Sequence, residues 1–72
     1  MDPYKELMNA VVLQAADDYR RALKTLKEDP DDRDAALMKE EVEQFFRSQW
    51  FTALAGIDGD WLIQKLTKEI EQ

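Results

Sequence analysis

The chain has 72 residues, 44% of them apolar and 36% charged, with two Gly, two Pro, no Cys and no His. That balance reads as one small globular domain over residues 1–72, and it excludes disulfides, thiolate chemistry and an imidazole acid or base. A net charge of −6 and the lack of any run of 18 apolar residues argue against general nucleic-acid binding and against a membrane span.

The N-terminus opens with a helix signal. Asp2 is placed to cap and Pro3 to take the first helical position. At ~100° per residue, Tyr4, Met8, Val11, Val12, Ala15, Tyr19, Ala22, Leu23 and Leu26 share one broad face, with Leu7 and Ala16 at its edges. The first helix is predicted over about 3–28. Arg20, Arg21, Lys24 and Lys27 fall in its last turns, where cations favour the negative end of the dipole.

Glu28-Asp29-Pro30-Asp31-Asp32 is the break, because Pro30 biases Asp29 out of the helix. A second helix is predicted over 31–46. Its apolar stripe is Ala35, Met38, Val42 and Phe45, with Phe46 on the flank. Asp32, Glu40 and Glu43 fall nearly opposite. Acidity is concentrated in this stretch: residues 29–44 hold seven acids against Arg33 and Lys39.

If the second helix ran on, Trp50, Phe51 and Leu54 would point ~140–180° away from its stripe. One straight helix cannot bury both sets against the same neighbour. A break near Arg47–Ser48 follows, with Ser48 as a new N-cap. A short third helix then spans 49–55 and ends at Gly56. Asp58 caps a fourth helix over 59–71, whose inner stripe is Leu62, Ile63, Leu66 and Ile70. No sustained apolar alternation appears between turn residues, so no strand is expected. The predicted fold is an all-α four-helix domain.

Four of the seven aromatics lie within Phe45-Phe46-Arg47-Ser48-Gln49-Trp50-Phe51. Rings at this density are either the centre of a small fold or a surface built for a partner. Both hold if Phe45, Phe46 and Phe51 point inward and Trp50 sits at the rim. Leu13 and Trp61 stand apart from their helix stripes. Each is either an ordinary exposed apolar residue or a binding contact, and Trp61 can also pack over the turn between helices 3 and 4. Leu13, Trp50 and Trp61 are therefore the candidate partner contacts.

Two charged groups have alternative readings. The acids Asp32, Glu40 and Glu43 are either a solvated helix face or an array that imitates nucleic-acid phosphates. Arg20, Arg21, Lys24 and Lys27 are either a solvated face, with Asp17 available to Arg21, or a patch that grips phosphates. Asp29 to Glu40 has the length of a calcium loop. It fails at two places, since Arg33 takes a ligand position and Asp34 replaces the required Gly. Asp58 to Glu69 shares that spacing, but Leu62 and Ile63 fill its next positions.

Enzyme chemistry is not expected. Ser48 is the only Ser and has a capping role. Adjacent carboxylates such as Glu40–Glu41 or Asp17–Asp18 diverge by ~100° on a helix. Gly56 and Gly59 do not make a phosphate-cradling loop. No cofactor and no metal are called for.

Three runs carry a resemblance: Val11-Val12-Leu13-Gln14-Ala15-Ala16-Asp17-Asp18-Tyr19-Arg20, the aromatic run 45–51, and Ile57-Asp58-Gly59-Asp60-Trp61-Leu62-Ile63. Over roughly residues 10–68 the chain resembles small helical accessory proteins carried by bacterial phages and conjugative elements. That group has no assigned chemistry, so the resemblance transfers no functional residue. It implies an accessory gene on a mobile element, a setting in which inhibitors of host defence are common. The expectation is a cytoplasmic, non-catalytic module that binds an unidentified protein, with a homodimer also possible. An anti-defence inhibitor using the acid face, and weak nucleic-acid binding by the basic patch, are the alternatives.

Overall fold

Pro3 opens the first helix, as its fixed φ and missing N–H allow. In the computed structural model this helix, α1, spans Pro3–Glu28. The structure describes residues 3–71, with the side chains of Tyr4, Leu54 and Glu71 outside that description. The expected Asp2 cap, and the expected places of Tyr4 and Leu54 in their stripes, lie outside the described residues.

The chain leaves α1 through a tight turn. Asp29 donates its N–H to the Thr25 carbonyl at 2.8 Å, and Asp32 donates to the Asp29 carbonyl at 3.1 Å. Asp29 Oδ1 also accepts from the Asp31 N–H at 3.2 Å, the side-chain turn that Asp favours. Helix α2 then runs Arg33–Arg47, two residues later than expected, because Asp32 is its N-cap and accepts from the Ala35 N–H. The Asp cluster is thus divided between turn and cap.

Ser48 ends α2 and starts α3 (Gln49–Ala55). Its Oγ donates to the Phe45 carbonyl at 2.7 Å and accepts from the Phe51 N–H at 3.1 Å. One hydroxyl therefore serves an orphan amide of α3 and a carbonyl of α2 that also accepts the Ser48 N–H at 3.2 Å. Gly56, at φ 66°, closes α3 in the left-handed region. Helix α4 (Gly59–Glu71) follows, with the Asp58 carboxylate accepting from the Asp60 N–H at 3.0 Å. The architecture is a small all-α domain of four helices, with no strand among the described residues.

Helix α2 runs back along α1, and α4 returns in the same direction as α1, packed against both α1 and α2. Arg20 meets Glu69 and Lys27 meets the Ile70 carbonyl, which sets α1 and α4 side by side. Arg47 meets Asp60 where α2 ends and α4 begins. The molecule is 42 Å long and about 20 Å across, close to the ~39 Å that 26 residues of helix span.

All four helices supply the core: Ala16 and Tyr19, Val42 and Phe46, Phe51, then Ile63 and Leu66. The stripes are rotated from those expected. Phe46, placed on the flank, is fully buried, whereas Phe45 is half-buried and Met38 is exposed. Because α2 packs against both α1 and α4, its buried line is Ala35, Val42 and Phe46. For the same reason Ala16 moves from the edge of the α1 stripe into the core, while Val11 and Leu7 are left exposed.

Candidate interaction surface

The rotation of α2 leaves apolar surface uncovered along its seam with α1. Val11 and Ala15 face Met38, Val42 and Phe45 across an open hollow of about 370 Å³. A second hollow, about 300 Å³, continues past Asp18 and Met38 toward Ala22, Thr25 and Ala35. Trp50 lies next to Phe45, which lines the first hollow, with the two ring centroids 5.6 Å apart. Val11, Met38 and Trp50 are 37%, 38% and 48% exposed. Leu7, also exposed, lies one turn before Val11 on the same side of α1, whereas the exposed Leu37 is turned ~100° from Met38 around α2.

The aromatic run divides as its alternatives allowed. Phe46 and Phe51 are fully buried, with centroids 5.2 Å apart, and Phe46 also meets Tyr19 edge-on at 6.2 Å. Phe45 is half-buried and touches Phe51 at 5.5 Å. Trp50 is at the rim.

The three expected partner contacts do not share one surface. Trp50 borders the α1–α2 seam. Leu13 is exposed but sits two residues, or ~200°, around α1 from Val11. Trp61 is exposed on α4, with Lys65 Nζ 5.6 Å from its ring centroid. A cation over a Trp face gives that ring a partner within its own helix.

The acid face is broken up. Asp32 is committed to capping, with its Oδ1 2.9 Å from the Ala35 N–H. Glu43 turns inward: it accepts from the Tyr19 hydroxyl at 3.2 Å and pairs with Lys39 at 3.1 Å. Only Glu40 of the three is exposed. The opposite-face geometry failed for Glu43 because the flank it occupies is the one that α4 covers.

The basic group is divided too. Arg20 is bound by Asp17 at 3.0 Å and Glu69 at 2.9 Å, so Asp17 pairs with Arg20 rather than Arg21. The Glu69 hydrogen bond holds the Arg20 guanidinium still further toward its charged form. Lys27 Nζ donates to the Ile70 carbonyl at 3.3 Å. Arg21 borders the α1–α2 hollow beside Asp18, Asp32 and Asp34, whereas Lys24 lies by a hollow next to α4. The four cations do not face one phosphate array.

Tyr19 is the central polar group. Burial pushes its phenol above the usual range; the nearby Thr67 hydroxyl offsets part of this, and the nearby Glu43 carboxylate adds to it. Its hydroxyl has a partner, and among the described residues no buried side-chain polar atom lacks one. Among those residues no three acids converge to hold a metal ion, and no helix is long and apolar enough to cross a membrane.

Sequence reasoning missed Val11, Met38 and Phe45 as surface residues because each lies on a stripe. The available signal was excess breadth. The apolar face of α1 is wider than α2 and α4 together cover, which leaves its Val11 border open. No protein-family model, curated protein or solved structure matches the chain.

Proposed function

We propose that this chain is a non-catalytic protein-interaction module, an accessory protein of a mobile genetic element, and that it works through the α1–α2 seam. The observation that carries this reading is the run of apolar side chains in which the exposed Trp50, Val11 and Met38 gather around the half-buried Phe45. Apolar side chains gathered into one concave strip point to a partner more strongly than the same number scattered singly. An aromatic ring at its end is the kind of anchor that dominates binding energy at interfaces.

The mobile-element setting rests on the resemblance of residues 10–68 to accessory proteins of phages and conjugative elements. A cytoplasmic location accords with that setting and with a Cys-free composition. The acid-face alternative is weaker, since Asp32 and Glu43 have internal roles. The basic-patch alternative loses Arg20 to Asp17 and Glu69.

Site-specific photocrosslinking in cells that carry the gene tests the proposal. A benzophenone amino acid in place of Met38 should yield one discrete crosslinked species. The same group in place of Glu40, on the far side of α2, should not. Equal crosslinking at both positions, or none at position 38, rejects the seam as a binding surface.

A further inference from the structure

Resting on that reading of the seam, we infer that its occupant is a basic amphipathic helix contributed by a partner protein. Three features of the groove specify this. The first is its length. The two hollows share Asp18 and Met38, and together they reach from Phe45 to Asp32 along α2. Thirteen residues of helix separate these ends, ~20 Å, which accommodates about four turns of a third helix.

The second is its shape and chemistry. A trough between two helices, apolar at the floor, receives a helix whose side chains repeat at i, i+3, i+4 and i+7. Val11, Ala15, Met38 and Phe45 supply that floor.

The third is charge. The charged residues that border the hollows are Asp18, Glu41, Asp32 and Asp34 against the single cation Arg21. Of the cations on α2 near them, Arg33 borders neither hollow, and Lys39 points to the opposite flank and pairs with Glu43. Lys or Arg flanking the apolar stripe of an incoming helix meets carboxylates on both walls. A second copy of this chain would meet them with its own carboxylates, and each copy carries a net charge of −6. Like charges set against each other in this way disfavour self-association through the groove.

Selection from a displayed peptide library against the full chain tests the inference. The library holds 16-residue helical peptides with Leu fixed on one stripe and the flanking positions randomised. Lys and Arg should dominate the selected flanks. The selected peptide should shift the amide resonances around Val11, Met38 and Phe45. Reversing the walls with Asp18→Lys and Glu41→Lys should weaken it about tenfold, and Glu40→Lys should leave it unchanged. The milder pair Asp18→Asn and Glu41→Gln should lower affinity in the same direction by a smaller factor, which guards against misfolding of the reversed variant.

Neutral or acidic flanks, or undiminished binding to the reversed variant, would overturn the basic helix and leave the groove standing. Selection without peptides that shift groove resonances would overturn both readings. Sedimentation showing a dimer that Val11→Gln with Met38→Gln dissociates would replace the partner helix by a second copy.

Discussion

At Gly59 the start of α4 lies directly against the backbone of α2. This glycine is buried, and a Cβ placed on it would overlap the Phe46 carbonyl group and crowd the Arg47 nitrogen. The obstacle is backbone, which cannot swing aside as a side-chain tip can. Helix propensity by itself predicts that Gly59→Ala stabilises α4 by about 0.5–1 kcal/mol. The close approach reverses that sign, and the expected net effect is a loss of roughly 2–3 kcal/mol, as for an overpacked core. A urea midpoint that rises or stays level would show that α4 can back away without cost. Gly56 has a different reason for being Gly: its φ of 66° suits no side chain well, although nothing crowds it. In the sequence both read as punctuation around Asp58. Only Gly56 has a role that a turn signal reveals, because the contact of Gly59 is with a residue thirteen positions away.

At the scale of elements, Ser48 decides whether α2 and α3 are two helices or one. Its hydroxyl bonds Phe45 and Phe51 on either side of the corner. Seven residues are too few for α3 to be stable alone, so its cap and its buried Phe51 must hold it. Ser48→Ala should cost about 1–2 kcal/mol. The loss should be uneven: amide hydrogen exchange should speed most in α3 and little in the middle of α1. Uniform acceleration across all four helices would mean that the corner is not a separable unit. This break was legible from the flip of the apolar pattern after Phe46. The rotation of α2 was not. A single amphipathic helix shows the width of its apolar face, whereas its buried centre depends on how many neighbours flank it. Here α4 covers the side of Glu43 and leaves Met38 open.

Across the whole molecule, Tyr19 links three helices, from its place on α1 to Glu43 on α2 and the neighbourhood of Thr67 on α4. Burial raises its phenol pKa in the folded state. The folded chain therefore holds this proton more tightly than the unfolded chain does. The associated stability is fully present below the ordinary tyrosine value of about 10, and it is lost as pH rises through the higher folded value. Urea midpoints should fall between pH 9 and 12, and the fall should be shallower in Tyr19→Phe. Parallel declines in the two proteins would remove Tyr19 from the alkaline transition. The surface ion pairs contribute less. Arg47–Asp60 and Arg20–Glu69 are largely solvated and serve more to set register than to add stability.

What the sequence determined by itself is local. Ser48, Asp58 and Gly56 mark where helices begin and end, because a cap acts on amides and carbonyls within four residues of itself. The period of the apolar residues determined the helical class in the same way. The tertiary structure alone decided which part of each apolar face is buried. It moved Phe46 and Ala16 to the centre, drew Glu43 inward to Tyr19, and left Val11, Met38 and Trp50 as a groove. Burial is settled by neighbours distant in the chain, so a face broader than its cover leaves a strip exposed. That strip is where the proposed function of this protein resides.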